Sequence, residues 1–180
     1  MRGEVSPLGR TSLRPTPLCG DTTVFQHFRV NLLALWYILK FMIDYSKFEK
    51  SLKHLEAQLR NFQNLAQRPE LDDIDREAIA ESVIQRFEIC YDCLWKVLKR
   101  YLNESLGIPE LPNSPKPLFR IAFENQLFPA VEQWLVYADA RVDTSHDYSG
   151  EKARATIETA CAFAGDAAAL YQKITGKLWT

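Results

Sequence analysis

The chain has little cysteine, glycine, methionine or histidine, and no excess of charge of either sign. Four cysteines in 180 residues are too few for the short, cysteine-dense scaffolds that disulfides hold together, so a reducing cytoplasm fits better than secretion. There is no GxxxxGK[ST] loop, no GxGxxG following a strand, no HExxH and no GxSxG, which removes several enzyme classes. Twenty-two Lys and Arg against 23 Asp and Glu leave a formal net charge of −1, so indiscriminate coating of nucleic acid is excluded. No stretch alternates apolar and polar residues with the period of a half-buried strand. Nor does any apolar run reach the ~18 to 20 residues that a membrane-spanning helix needs. Val30 to Ile43 comes nearest, but Asn31 and Lys40 interrupt it, and no small-residue cleavage site follows as it would after a signal peptide.

What remains is 47% hydrophobic and 25% charged, enough chain for one sizeable core. The charge divides unevenly, because residues 1 to 41 carry five basic and two acidic side chains while the rest is mildly acidic. Residues 1 to 23 hold three prolines and three glycines without helical or strand periodicity. Residues 1–43 therefore read as a disordered or weakly structured leader, and 44–176 as the folded domain. The composition shift at Met42, one of only two methionines, makes residues 1 to 41 a candidate over-extended gene start.

Within 44–176 the signals are helical. Ser46-Lys47-Phe48-Glu49 has the form of a capping box, in which the serine takes a free backbone N–H and the glutamate reaches back. Behind it Phe48, Leu52, Leu55, Leu59, Phe62 and Ala66 form one apolar stripe, and Pro69 stops it. Asp72, Asp73, Asp75 and Glu77 favour the positive end of a second helix, whose stripe runs Ile79, Val83, Phe87, Cys90, Leu94, Val97, Tyr101. With Gly107 as its C-terminal cap, that helix spans roughly 34 residues and roughly 50 Å at ~1.5 Å per residue. Pro109, Pro112, Pro115 and Pro117 make a stiff connector, and Ser114-Pro115 opens a third helix over about 116 to 127. That helix is interrupted near Pro129 and resumes through Trp134 towards Arg141; a break at Asp147 to Gly150 precedes an alanine-rich last helix from Glu151 to Thr175, closed by Gly176. The expected fold is an all-α, four-helix up-and-down bundle. Trp95, Phe119, Phe123, Phe128 and Trp134 exceed what a small bundle buries internally, which points to dimerisation through helical faces.

Chemistry has few places to sit. Cys90-Tyr91-Asp92-Cys93 is formally a CxxC, but inside a helix and without a second pair it reads as two small core residues rather than a zinc or redox site. His54 lies on an amphipathic helix and His27 in the leader. The exception is Arg141-Val142-Asp143-Thr144-Ser145-His146-Asp147-Tyr148. An arginine and a histidine five positions apart can meet at one anion, the guanidinium binding a phosphodiester bidentately and the imidazole moving a proton near neutral pH. By composition alone the same two side chains at a helix C-terminus can simply complement the helix dipole.

This run resembles the Rx4HxY motif of the HEPN superfamily, and in particular the small all-helical nucleotidyltransferase substrate-binding proteins akin to HepT-like toxins. The likeness extends to Gln85-Arg86-Phe87-Glu88, Trp95-Lys96, Lys99-Arg100-Tyr101-Leu102, Pro112 to Pro117, Trp134-Leu135 and Thr144-Ser145-His146, covering about residues 44 to 175. The resemblance implies a HEPN-like bundle that forms a homodimer and pairs with a minimal nucleotidyltransferase encoded nearby, as the HEPN component of a toxin–antitoxin system. In the HEPN ribonucleases, Arg and His from two subunits form a metal-independent RNA-cleaving site; the matching residues here are Arg141 and His146. In related pairs the nucleotidyltransferase adenylylates the motif tyrosine, which matches Tyr148. No cofactor or metal of its own is implied, since ATP and Mg²⁺ belong to the partner. One position departs from the pattern: many HEPN nucleases have a polar residue after the arginine, and this chain has Val142. Two readings therefore stand, a nucleotidyltransferase substrate-binding partner subunit and an active ribonuclease toxin silenced at Tyr148.

Overall fold

A computed structural model describes residues 43–143 and 150–180. The leader up to Met42, together with His146 and Tyr148, lies outside the described residues. Five α-helices follow one another: α1 Ser46–Gln63, α2 Asp73–Glu104, α3 Pro115–Glu124, α4 Glu132–Asp143 and α5 Gly150–Thr175, with a single 3-10 turn at Leu65–Gln67. Among the described residues there is no strand, and the all-helical bundle is as expected. The helix count is not.

The expected third helix is two, α3 and α4. Asn125 ends α3, Gln126 takes a left-handed φ of 59°, and the Leu127 N–H turns back to the Ala122 carbonyl at 3.1 Å. This reversal brings Leu127 and Phe128 into the core, where Phe128 stacks on Trp134 with ring centroids 4.6 Å apart. The pattern of apolar residues alone runs through the break, which is why the sequence reads as one interrupted helix.

The start of α1 also differs. Tyr45 is already in helical conformation, and the Ser46 N–H is taken by Asp44 Oδ1 at 2.9 Å, so the aspartate two residues upstream supplies the cap. A carboxylate is a stronger acceptor at the positive helix end than a serine hydroxyl. Glu49 does not reach back; it accepts the Tyr171 hydroxyl at 2.9 Å and pairs with Lys53 at 3.1 Å. The capping box forms instead at α2, where Asp72 accepts the Asp75 N–H at 2.8 Å and Asp75 accepts the Asp72 N–H at 3.4 Å. The other end of α2 closes as expected, since Gly107 at φ 68° lets the Ile108 N–H return to the Leu102 carbonyl at 3.0 Å.

Helix α1 packs along α2, and α5 lies against both, while α3 and α4 pair and close the remaining side against α2 and α5. The end of α5 meets the start of α1 through Tyr171 and Glu49. Beyond α5 the chain lies on α1, where Trp179 Nε1 donates to Glu56 Oε1 at 2.7 Å. Both apolar stripes read from the sequence supply the core: Phe48, Leu52, Leu55 and Leu59 from α1, and Val83, Phe87, Cys90, Leu94 and Val97 from α2. Ile43, assigned to the leader, is buried with them.

Phe163 on α5 is the hub of an aromatic cluster. Its ring meets Phe87 edge-on at 5.2 Å and Tyr137 at 5.3 Å, and lies 6.1 Å from Tyr91 and 6.4 Å from Trp134. Buried Ala160, Ala164 and Ala167 beside it give the large rings room. Edge-on ring pairs of this kind add about 0.5–1.5 kcal/mol each beyond simple burial. The cluster takes up Phe119, Phe128 and Trp134, three of the aromatics that suggested a dimer face, leaving Trp95 half-buried and Phe123 exposed.

Candidate functional site

Arg141 stands in the last turn of α4, where a cation suits the negative end of the helix dipole. Its side chain reaches across to α2, placing Nη1 3.5 Å from Glu88 Oε1 and Nη2 3.3 Å from Asp92 Oδ2. Glu88 and Asp92 are four residues apart on one face of α2, so the arginine lies against two like charges and screens their repulsion. The three groups sum to −1, and a phosphate approaching Arg141 must compete with both carboxylates. Of the three residues singled out in the sequence the structure thus places one, Arg141; His146 and Tyr148 lie outside the described residues.

Glu88 and Asp92 are the acidic neighbours of Arg141 on α2, a role that the sequence reading gave to neither. Their signal was available: an acidic pair one turn apart on a long helix, flanking Tyr91, close to the apolar stripe.

Beside Arg141 a cleft of about 620 Å³ opens between α2, the first turn of α3 and the end of α4. Trp95, Pro115 and Pro117 line its walls, with Tyr91, Asp92 and Arg141 also facing it. The proline-rich connector places the two prolines there: Pro115 starts α3, a position that needs no backbone N–H. Lys116, which also lines the cleft, pairs with Asp139 of α4. Val142 lies on the rim and is 64% exposed.

Tyr91 is 2% exposed, and its hydroxyl is buried with no hydrogen-bond partner among the described residues. Burial, with the charge of Asp92 next, pushes its pKa well above the ordinary tyrosine value, so the phenol stays neutral and able to donate or accept. A buried hydroxyl without a partner costs about 1–3 kcal/mol.

The remaining candidates are structural. Cys90 is buried and free, and burial pushes its thiol up to about 12, far from a reactive thiolate. Cys93 is free and partly buried, and His54 is on the exposed face of α1. Among the described residues no three His, Cys, Asp or Glu are grouped to hold a metal ion, and no helix is long and apolar enough to cross a membrane.

Fold and site together define a helical-bundle protein whose distinctive feature is a cleft beside a helix-end arginine. A family model described as "Nucleotidyltransferase substrate binding protein like" matches residues 43–176, and the chain belongs to that family. A crystal structure of a protein from Thermus thermophilus is similar to it, with 28% sequence identity and a TM-score of 0.52, covering 67% of this chain and 98% of that one. No curated protein matches the chain.

Proposed function

We propose that this protein is the substrate-binding partner subunit of a minimal nucleotidyltransferase, working as the HEPN component of a toxin–antitoxin pair in the cytoplasm. The observation that carries this reading is membership of the nucleotidyltransferase substrate-binding family across the whole bundle. In this reading the chain forms a homodimer and Tyr148 is the group that the partner modifies. The phenol oxygen attacks the α-phosphorus of ATP, pyrophosphate leaves, and AMP remains on the tyrosine; ATP and Mg²⁺ are held by the partner. Co-expression with the adjacent nucleotidyltransferase gene tests the pairing. A stable complex is expected, with AMP-sized mass increments on wild type and none on Tyr148→Phe. Separate elution of the two proteins, with no mass change, overturns it. Light scattering at high micromolar concentration checks the dimer, and a monomer mass there overturns that part.

A second reading is a metal-independent ribonuclease in which Arg141 holds the phosphate and His146 transfers the proton. It is favoured by the position of Arg141 on the cleft, at the point where the chain enters the motif segment. Expression without the neighbouring gene separates the two. Growth arrest relieved by His146→Ala supports the nuclease, with cleavage falling on the order of 10²-fold or more and EDTA without effect. Indifference to expression supports the binding subunit.

A further inference from the structure

Charge is divided unevenly along α2. From Asp73 to Asp92 the helix carries six acidic and two basic side chains, and from Cys93 to Glu104 three basic and one acidic. A solvent-facing stripe runs along it at helical spacing, from Ala78 and Ser82 through Ile89 and Cys93 to Lys96 and Arg100, each exposed or half-buried. The stripe is apolar at its centre, where Ile89 is 42% exposed one turn from the free thiol of Cys93. Small side chains make up its first part, and long basic ones its last.

The order of these features decides what covers the stripe. A polyanion suits only the last third and is repelled by the acidic remainder. A second copy laid parallel sets like charges and like sizes against one another. A second copy laid antiparallel, about a two-fold axis midway between Ile89 and Cys93, reverses the order: Ile89 then lies opposite Cys93, and Ser82 opposite Arg100. Ala78 and Ser82 leave room for the stems of the long basic side chains. Glu81, exposed beside Ser82, comes opposite Lys99 and Arg100 of the second copy. Opposite charges at matched positions fix the orientation of a helix pair. From residue 78 to residue 103 such a pairing extends roughly 38 Å at ~1.5 Å per residue.

We infer that this stripe of α2 is the face through which two copies of the chain associate, antiparallel and centred between Ile89 and Cys93. The inference rests on the homodimer reading and deepens it, because Phe119, Phe128 and Trp134, which suggest a dimer in the sequence, belong to the core.

The test follows the mass of the full chain by sedimentation equilibrium up to high micromolar concentration. Ile89→Asp should weaken association by about tenfold or more, since it sets a charge at the centre of the contact, while the helical circular dichroism spectrum stays unchanged. Arg100→Glu should weaken association several-fold and adding Glu81→Arg should restore it, a rescue that a folding defect would not show. Ile89→Cys puts a second thiol opposite Cys93 of the second copy, so mild oxidation should yield a disulfide-linked dimer that is lost when Cys93→Ser is added. A wild-type monomer at high micromolar concentration overturns both the homodimer and this face. A wild-type dimer that Ile89→Asp and Arg100→Glu leave intact keeps the homodimer and overturns the face. If those variants dimerise normally but no longer co-purify with the nucleotidyltransferase, the stripe belongs to that partner and the inference is likewise overturned.

Discussion

The Arg141 guanidinium at the end of α4 donates to the Asp92 carboxylate, 49 residues earlier in the chain, at 3.3 Å. The contact ties the helix that leads into the motif segment to the middle of the longest helix in the bundle, and Glu88 at 3.5 Å doubles it. Removing the arginine leaves two carboxylates one helical turn apart without their common counter-charge. Because the site is only partly buried, Arg141→Leu should cost about 1–2 kcal/mol, below the 3–5 kcal/mol of a fully buried pair. Adding Glu88→Gln to that variant should recover part of the loss. Urea denaturation of the single and double variants measures both; equal stability of Arg141→Leu and wild type would show that the contact contributes nothing.

Glu49 gives the fold an acid-sensitive contact. Its carboxyl is held below the ordinary 4.5, chiefly by the hydrogen bond from Tyr171 and then by Lys53. A group whose folded pKa is depressed stabilises the fold fully above its unfolded pKa, and the contribution is lost as pH falls through the lower folded value. The melting-temperature gap between wild type and Glu49→Gln should therefore be open near neutral pH and close as the carboxyl is protonated in acid below its ordinary range. A gap that persists unchanged into strong acid would contradict the assignment.

Phe163 is where rings from α2, α4 and α5 meet, through Phe87, Tyr91, Trp134 and Tyr137. Phe163→Ala should lose about 3–5 kcal/mol, the cost of burial plus the cavity left behind. Phe163→Leu should lose distinctly less. Chemical denaturation distinguishes this hub from a peripheral ring, whose truncation would shift the midpoint only slightly.

Cys90 should resist modification. Its thiol is buried and pushed up to about 12, whereas Cys161 is exposed. Peptide mapping after brief alkylation of the native protein at pH 8 should find Cys161 labelled on the order of 10²-fold faster than Cys90. Comparable labelling of the two would mean that the α1–α2 interface opens readily.

The fold was legible where one residue type has one physical consequence. Leu52, Leu55 and Leu59 fall on one face at helical spacing and are buried there, and Gly107 and Gly176 end their helices in left-handed conformations. Local competition was harder to read. Ser46 and Asp44 both resemble caps, and the choice between them depends on Tyr45 already being helical. Glu49 has the spacing of a capping box, but a partner from α5, 122 residues away, claims it. At the candidate site the sequence could indicate Arg141 as an anion binder; Glu88 and Asp92 come near it only through packing of α4 on α2. The cleft could not be read at all, since Trp95 and Pro115 share no periodicity and become its walls only when the connector folds back on α2.

The turn joining α3 to α4 returns Leu127 and Phe128 to the core in the space of a few residues. It is thus a packed part of the interior rather than a spacer, and its tolerance to changes of length is asymmetric. Deleting a residue between Asn125 and Phe128 would pull the Phe128 ring off Trp134, whereas inserting one among the exposed residues Pro129 and Ala130 would lengthen the path to α4 and leave that stack in place. Family members should accordingly differ in length after the position of Phe128 and agree in length before it.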